Sequence, residues 1–229
     1  MPIYNRIADF HEDLVTTRRD IHAHPELGFE EHRTSDLVAQ QLESWGIEVH
    51  RNIATTGVVG VLRGTGDSER SIGLRADMDA LPMEEEGTPE HRSKNSGKMH
   101  ACGHDGHTTM LLGAARYLAE TKNFDGTVHF IFQPAEEGGG GGRVMVEEGL
   151  FDKFKCDTVW GMHNSPNLPA GTLAIRPGPL MAAVDMATIT INAKGCHAAQ
   201  PHMGKDPIAV AVQLYTAIQT IVSRNVDPI

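Results

Sequence analysis

Cysteine is scarce in this chain. Cys102, Cys156 and Cys196 are the only three in 229 residues, and no two form a CxxC pair. That excludes a disulfide-built scaffold and leads us to expect reduced thiols in a cytoplasmic setting. Positive charge is also short, with 20 Lys+Arg against 30 Asp+Glu and a formal net charge of -10. Such a surface repels nucleic acid and anionic membranes, so neither is expected as a partner. No apolar run approaches the ~18 residues needed to cross a bilayer. The opening Met-Pro-Ile-Tyr-Asn-Arg-Ile-Ala-Asp-Phe lacks the basic-then-apolar order of a signal peptide. What remains, 40% hydrophobic and 22% charged residues, is the composition of an ordinary globular protein. The length suits one large domain, or one domain and part of another.

The densest chemistry lies in Met99–Thr108, where His100, Cys102, His104, Asp105 and His107 precede an apolar helical run. Cys102 and His104 are two apart, a spacing that places both on one side of an extended segment but nearly opposite each other on a helix. The pair should therefore sit on the turn entering a helix, with Gly103 giving backbone freedom between them. The partial positive charge of a helix N-terminus should favour a thiolate at Cys102. Taken alone, the stretch also suits a buried cysteine among solvated histidines. His107, on the first turn of a helix with an apolar face of Met110, Leu111, Ala114, Ala115 and Leu118, also suits a satisfied core histidine.

Elsewhere the pattern alternates between helices and short apolar strands. Residues 4–23 read as one amphipathic helix, broken by Pro25, and a second helix runs from about Ser35 to Trp45. Strands are expected at Glu48–Arg51, Gly57–Arg63, Ser71–Arg75 and Asp157–Trp160. Thr127–Phe132 is nearly all apolar, as a central strand covered on both faces would be. Five glycines, Gly138–Gly142, then open a helix to about Glu148. This is an α/β pattern with a largely parallel sheet. From Asp185 the texture changes. Residues 186–193 alternate like a strand with one solvated face, and a turn-rich stretch and a helix from Ile208 to about Ser223 follow. A boundary near Gly178–Asp185 divides a first domain, 1–184, from the beginning of a second, 185–229.

In open α/β sheets, sites form at the carboxyl ends of strands. Here those ends run into Asp77 and Asp79, into Glu136 and Glu137, and into His163, with the Cys102/His104 turn as a fourth supplier. Thiolate, imidazole and carboxylate together suit Zn²⁺ or a similar divalent ion. Adjacent glutamates in an extended segment point opposite ways, so one could bind metal while its neighbour faces a water. That division of labour belongs to metal-assisted hydrolysis, in which a Lewis acid acidifies the water and a free carboxylate moves its proton. Adjacent glutamates are more often a solvated pair, and a lone histidine such as His163 is more often structural. A phosphate-binding use of the glycine run, and with it a nucleotide-binding domain, lacks the Gly-Lys-Ser/Thr that such a loop requires.

Five motifs occur in order: Arg75-Ala-Asp-Met-Asp-Ala-Leu-Pro82, His100-Ala-Cys-Gly-His-Asp-Gly-His107, Gln133-Pro-Ala-Glu-Glu-Gly138, Gly161-Met-His163 and Gly195-Cys-His-Ala-Ala-Gln-Pro-His202. Together they resemble the M20 metallopeptidases, specifically the amidohydrolase branch of hippurate hydrolases, N-acyl-amino-acid deacylases and indole-acetyl-amino-acid hydrolases. The resemblance implies a di-metal hydrolase domain followed by the start of an α+β lid or dimerisation domain. It implies two divalent ions (Zn, Mn, Co or Ni) held by Cys102, His104, Glu137 and His163, with Glu136 as general base. His197 resembles the lid histidine that polarises the scissile carbonyl, supplied in many members by a partner subunit; His202 is the weaker candidate. The position of Asp77 is commonly a metal-binding histidine in the wider family, so Asp77 and Asp79 are expected to support the site rather than bind metal. The implied reaction cleaves N-acyl amino acids to carboxylate plus amine, in a homodimer or higher homo-oligomer. Alternatives are a catalytically incompetent metal-binding fragment, or a dipeptidase or deacetylase such as the N-acetyl-diaminopimelate type. Family members carry more lid, a return to the catalytic domain and a late metal-binding histidine, so the chain reads as an N-terminal fragment.

Overall fold

The structure, a computed structural model, describes residues 5–182 and 185–226. It divides into two compact units, Met1–Thr172 and Leu173–Ile229. Residues 183 and 184, at the boundary expected from the sequence, lie outside the described residues.

The first unit opens with helices α1 (Asn5–Asp9) and α2 (His11–Ala23) rather than one continuous helix. The break falls at Phe10, whose ring is buried with the Arg116 guanidinium 4.4 Å from its centroid. Burying that ring outweighs the interruption of the helix at one residue. Helix α3 (His32–Ser44) turns Val38, Ala39 and Leu42 into the core, the spacing of one helical face.

Five strands follow: β1 (Glu48–Ile53), β2 (Gly57–Arg63), β3 (Ser71–Asp77), β4 (Thr127–Gln133) and β5 (Thr158–Gly161). Their order in the sheet is β1-β2-β4-β3-β5. The β1–β2 and β2–β4 pairings are antiparallel, whereas β4–β3 and β3–β5 are parallel. The sheet is thus mixed, and its parallel part is confined to β4-β3-β5. Connection length explains the division. A short turn joins β1 to β2, which permits only an antiparallel hairpin, while long helical crossovers join β3 to β4 and β4 to β5.

The first crossover holds α4 (His104–Thr121) and the second holds α5 (Gly141–Glu147) and α6 (Leu150–Lys153). Strand β4 is covered on both faces, as its composition predicts. Val128, Phe130 and Phe132 pack with Val38, Leu42, Val58 and Leu112 on the side of α3 and α4. Ile131 packs with Val59, Met145, Leu150 and Phe154 on the other side. Phe130 and Phe132 are fully buried, each worth about 1.5–3 kcal/mol in transfer free energy alone. Strand β5 forms an edge, with Val159 and Trp160 exposed.

In the second unit, residues 186–193 form no strand, contrary to the alternation of their sequence. Alternation supplies a face but not a ladder partner, and among the described residues the pairing near it is the bridge Lys194–Lys205. Helix α7 (Pro207–Asn225) starts on an Asp206 cap, whose Oδ1 accepts the Ile208 and Ala209 N–H groups at 2.8 and 3.4 Å. Pro207 suits the first helical position because no donor is needed there. No helix among the described residues is long and apolar enough to cross a membrane.

Candidate metal centre

Parallel pairing places the ends of β4, β3 and β5 side by side, with Asp77 opposite Gln133 and Arg75 opposite Gly161. The loops leaving those ends carry Asp79, the Glu136–Glu137 pair and His163. Helix α4 begins against them. Its N-cap, Gly103, has φ +91°, and a Cβ there would lie 2.5 Å from the Asn164 side-chain oxygen. Only glycine meets both conditions, and it sets Cys102 and His104 on either side of the helix start.

His104 is fully buried and central. Its Nδ1 lies 3.2 Å from Asp79 Oδ1, and its Nε2 has no hydrogen-bond partner. Around that Nε2 stand Asp77 Oδ2 at 3.7 Å, Glu137 Oε1 at 3.8 Å and Glu136 Oε2 at 4.0 Å. Cys102 Sγ lies 3.3 Å from His163 Nε2, whose ring donates from Nδ1 to the Asn164 carbonyl at 2.7 Å. Cys102, His104 and His163 each offer a ligand atom within 4.8 Å of the others, as do His104, Glu136 and Glu137, and also Asp77, His104 and His107. The four residues expected as ligands and the expected base are therefore brought together. His197 lies in the second unit, where its Nδ1 accepts the Ala199 N–H at 3.1 Å, and His202 sits in a short 3₁₀ turn, Pro201–Met203.

Two local expectations are corrected. Glu136 and Glu137 lie in a turn, not an extended segment. The turn follows Ala135, whose φ is +48°, so both carboxylates approach the same histidine instead of pointing apart. The Cys102 thiol is also not biased towards thiolate. Burial pushes its pKa up to about 12, and the carboxylates of Glu137, Asp77 and Glu136 add to the rise. Their full charges outweigh the partial charge of the helix N-terminus.

Asp77 and Asp79 ionise readily despite burial. Burial alone would raise Asp77, but the hydrogen bond with His107 and the Arg75 guanidinium hold it at about 2. Asp79 is likewise lowered against burial, by His104 and by the Glu137 and Glu136 backbone. Its Oδ2 accepts the Glu137 N–H at 2.9 Å. Burial works against a proton on His104, but the bond to Asp79 and the nearby carboxylates raise its pKa overall.

Sequence reasoning passed over Asn164 and left His107 open. His107 Nε2 lies 2.5 Å from Asn164 Oδ1 and 3.0 Å from the Asn164 backbone nitrogen, and its Nδ1 lies 2.6 Å from Asp77 Oδ1. Both nitrogens are thereby used within the protein. The available signal was a polar residue immediately after His163, at the mouth of a strand.

The chain is 49% identical to the hippurate hydrolase of Campylobacter jejuni over 228 residues, which is 100% of this chain and 59% of that protein. It is 45% identical to the N-acetyl-L-cysteine deacetylase of Bacillus subtilis, covering 97% of this chain and 53% of that protein. Among solved structures, it is similar to the Bacillus subtilis YXEP protein, described as a dinuclear metal-binding peptidase from the M20 family. That match has a TM-score of 0.71 and 42% identity, covering 76% of this chain and 48% of that one. The chain thus spans little more than half the length of these curated relatives. The profile of peptidase family M20/M25/M40 matches residues 73–228, which take in every strand end of the site, and the chain belongs to that family.

Proposed function

We propose that this chain carries the metal site of an amidohydrolase that cleaves N-acyl amino acids of the hippurate type to a carboxylate and an amino acid. The observation that carries the reading is the buried, unpartnered Nε2 of His104 among three carboxylates, beside the Cys102–His163 pair. Those donors fit borderline-soft divalent ions: a soft thiolate, imidazoles and carboxylates in one cluster with surplus negative charge. Cys102, His104, Glu137 and His163 would hold two such ions. When bound, they supply Lewis acidity to the scissile carbonyl and make an attacking water more acidic.

The protein's own groups divide the remaining work. Glu137 is pinned through its N–H to Asp79 and its side chain is 24% exposed, whereas that of Glu136 is 43% exposed. The freer carboxylate is the better placed to take a proton from water and return it to the departing amine. Asp79 orients His104 from behind, as carboxylates behind ligating histidines commonly do. Asp77 and His107 brace the same wall. His197, from a partner subunit, would stabilise the developing oxyanion. The relatives' names support an acyl-amino-acid substrate for them; for this chain it is the proposal.

The test compares Glu136→Gln with Glu137→Gln in a chain extended to the length of the relatives, with hippurate as substrate. Glu136→Gln should keep its metal and lose about 10²–10⁴-fold in rate, the range of general acid–base catalysis. Glu137→Gln should lose metal. The opposite pattern would exchange the two roles. Metal binding without turnover on any N-acyl amino acid would leave a metal-binding module only.

A further inference from the structure

The turn bearing Glu136 and Glu137 is anchored by a carboxylate remote from it in sequence. Glu31 is fully buried at the residue preceding α3. An acid at a helix start usually satisfies its own helix's free N–H groups. Here Glu26 does that instead. It accepts the Arg33 N–H at 2.9 Å, the Thr34 N–H at 2.8 Å and the Thr34 hydroxyl at 2.9 Å. Glu31 is left to reach across to the end of β4. Its Oε1 accepts the Ala135 N–H at 2.8 Å and its Oε2 accepts the Thr56 hydroxyl at 2.5 Å.

Ala135 is fully buried in the left-handed region, φ +48°, which an alanine does not hold without surrounding constraint. Its neighbours are fitted to it. A Cβ on Gly28 would lie 2.9 Å from Ala135 Cβ and 3.0 Å from its Cα, and one on Gly139 would lie 2.6 Å from Ala135 Cβ. The conformation at Ala135 fixes the direction in which the chain leaves β4, and hence where Glu136 and Glu137 stand.

We propose that Glu31 is a positioning residue for the metal site, its hydrogen bond to the Ala135 N–H holding the turn that aims Glu136 and Glu137 at His104. This rests on the metal-site reading above. The step is local: a directed acceptor, a strained backbone and the two acids that follow it. Outer partners of this kind typically change metal affinity by about 10–100-fold, because ångström-scale misplacement is enough.

The test titrates Co²⁺ into the wild-type chain and into Glu31→Gln, Glu31→Ala and Gly28→Ala, with melting of each metal-free variant measured in parallel. Gln keeps an oxygen for the Ala135 N–H and can donate to Thr56, so Glu31→Gln should bind Co²⁺ like the wild type. Glu31→Ala and Gly28→Ala should bind it about 10–100-fold more weakly. In both, the thiolate-to-cobalt absorption from Cys102 should persist at saturation, since that side of the site does not depend on Ala135. Glu31→Ala binding as tightly as wild type would overturn the proposal. So would a loss of about 10–100-fold in Glu31→Gln relative to the wild type, a result that decides even if the alanine variant does not fold. Failure of the wild-type chain to bind Co²⁺ would instead overturn the metal-site reading itself.

Discussion

Helix α4 opens on two adjacent buried residues that face different polar clusters, His104 and Asp105. On the Asp105 side, Oδ2 receives Arg18 Nε and His22 Nδ1, both at 2.9 Å. His22 Nε2 lies 3.3 Å from Glu85 Oε1, and Glu85 Oε2 accepts the Ser93 N–H at 2.6 Å. Two carboxylates thus meet one guanidinium and a histidine whose pKa is raised, chiefly by its bond to Asp105 and against burial. On the His104 side, four carboxylates, Asp77, Asp79, Glu136 and Glu137, meet one guanidinium, Arg75, and two histidines, His104 and His107. The residue types are the same and the charge balance is not. A balanced cluster holds the fold together, whereas one short of cations is built to receive them.

The largest effect expected from this contrast concerns Cys102. With its pKa pushed up to about 12 by burial and by the surrounding acids, its alkylation in the metal-free chain should accelerate about tenfold per pH unit until near pH 11. Zn²⁺ or Co²⁺ should abolish the reaction at neutral and mildly alkaline pH by capturing the thiolate. A metal-free rate that levels off below pH 9 would show that the acids do not dominate this site.

The next effect falls on the balanced cluster. His22→Ala removes one partner of a buried pair and should cost about 3 kcal/mol in chemical denaturation, leaving Co²⁺ affinity close to wild type. The pH dependence has a definite sign. Because the folded pKa of His22 is raised above 6.5, the stability it contributes is complete below pH 6.5 and is lost as pH rises through the higher folded value. The wild-type melting temperature should show that fall, and His22→Ala should lack it. An equal fall in both would assign the pH dependence to another group.

The smallest effect has the opposite sign. Glu137→Gln removes one charge from an over-acidic cluster and should stabilise the metal-free chain, by less than about 1 kcal/mol. A loss of stability would mean that the His104 cluster is internally balanced like that of His22, and the contrast would collapse.

Much of the fold was legible where local pattern suffices. The span of β2 and the two-sided burial of β4 follow from unbroken apolar runs, and the start of α4 follows from Gly103. The residues at the strand ends were legible because parallel crossovers deliver their loops to one edge. Residues 186–193 were misread because alternation defines a face without supplying a partner. The break at Phe10 was missed because only a core to receive the ring makes it favourable.

By itself, then, the sequence determined the five strands of the first unit and which chemical groups stand at the ends of β3, β4 and β5, since both depend on neighbours a few residues away. Tertiary structure alone decided the ionisation of Cys102, the direction of the Glu136–Glu137 turn and the pairing of His107 with Asp77. The last joins residues 30 apart in sequence, and the Cys102–His163 contact joins residues 61 apart. Electrostatic energy depends on separation in space and on burial, and neither quantity exists until the chain has folded.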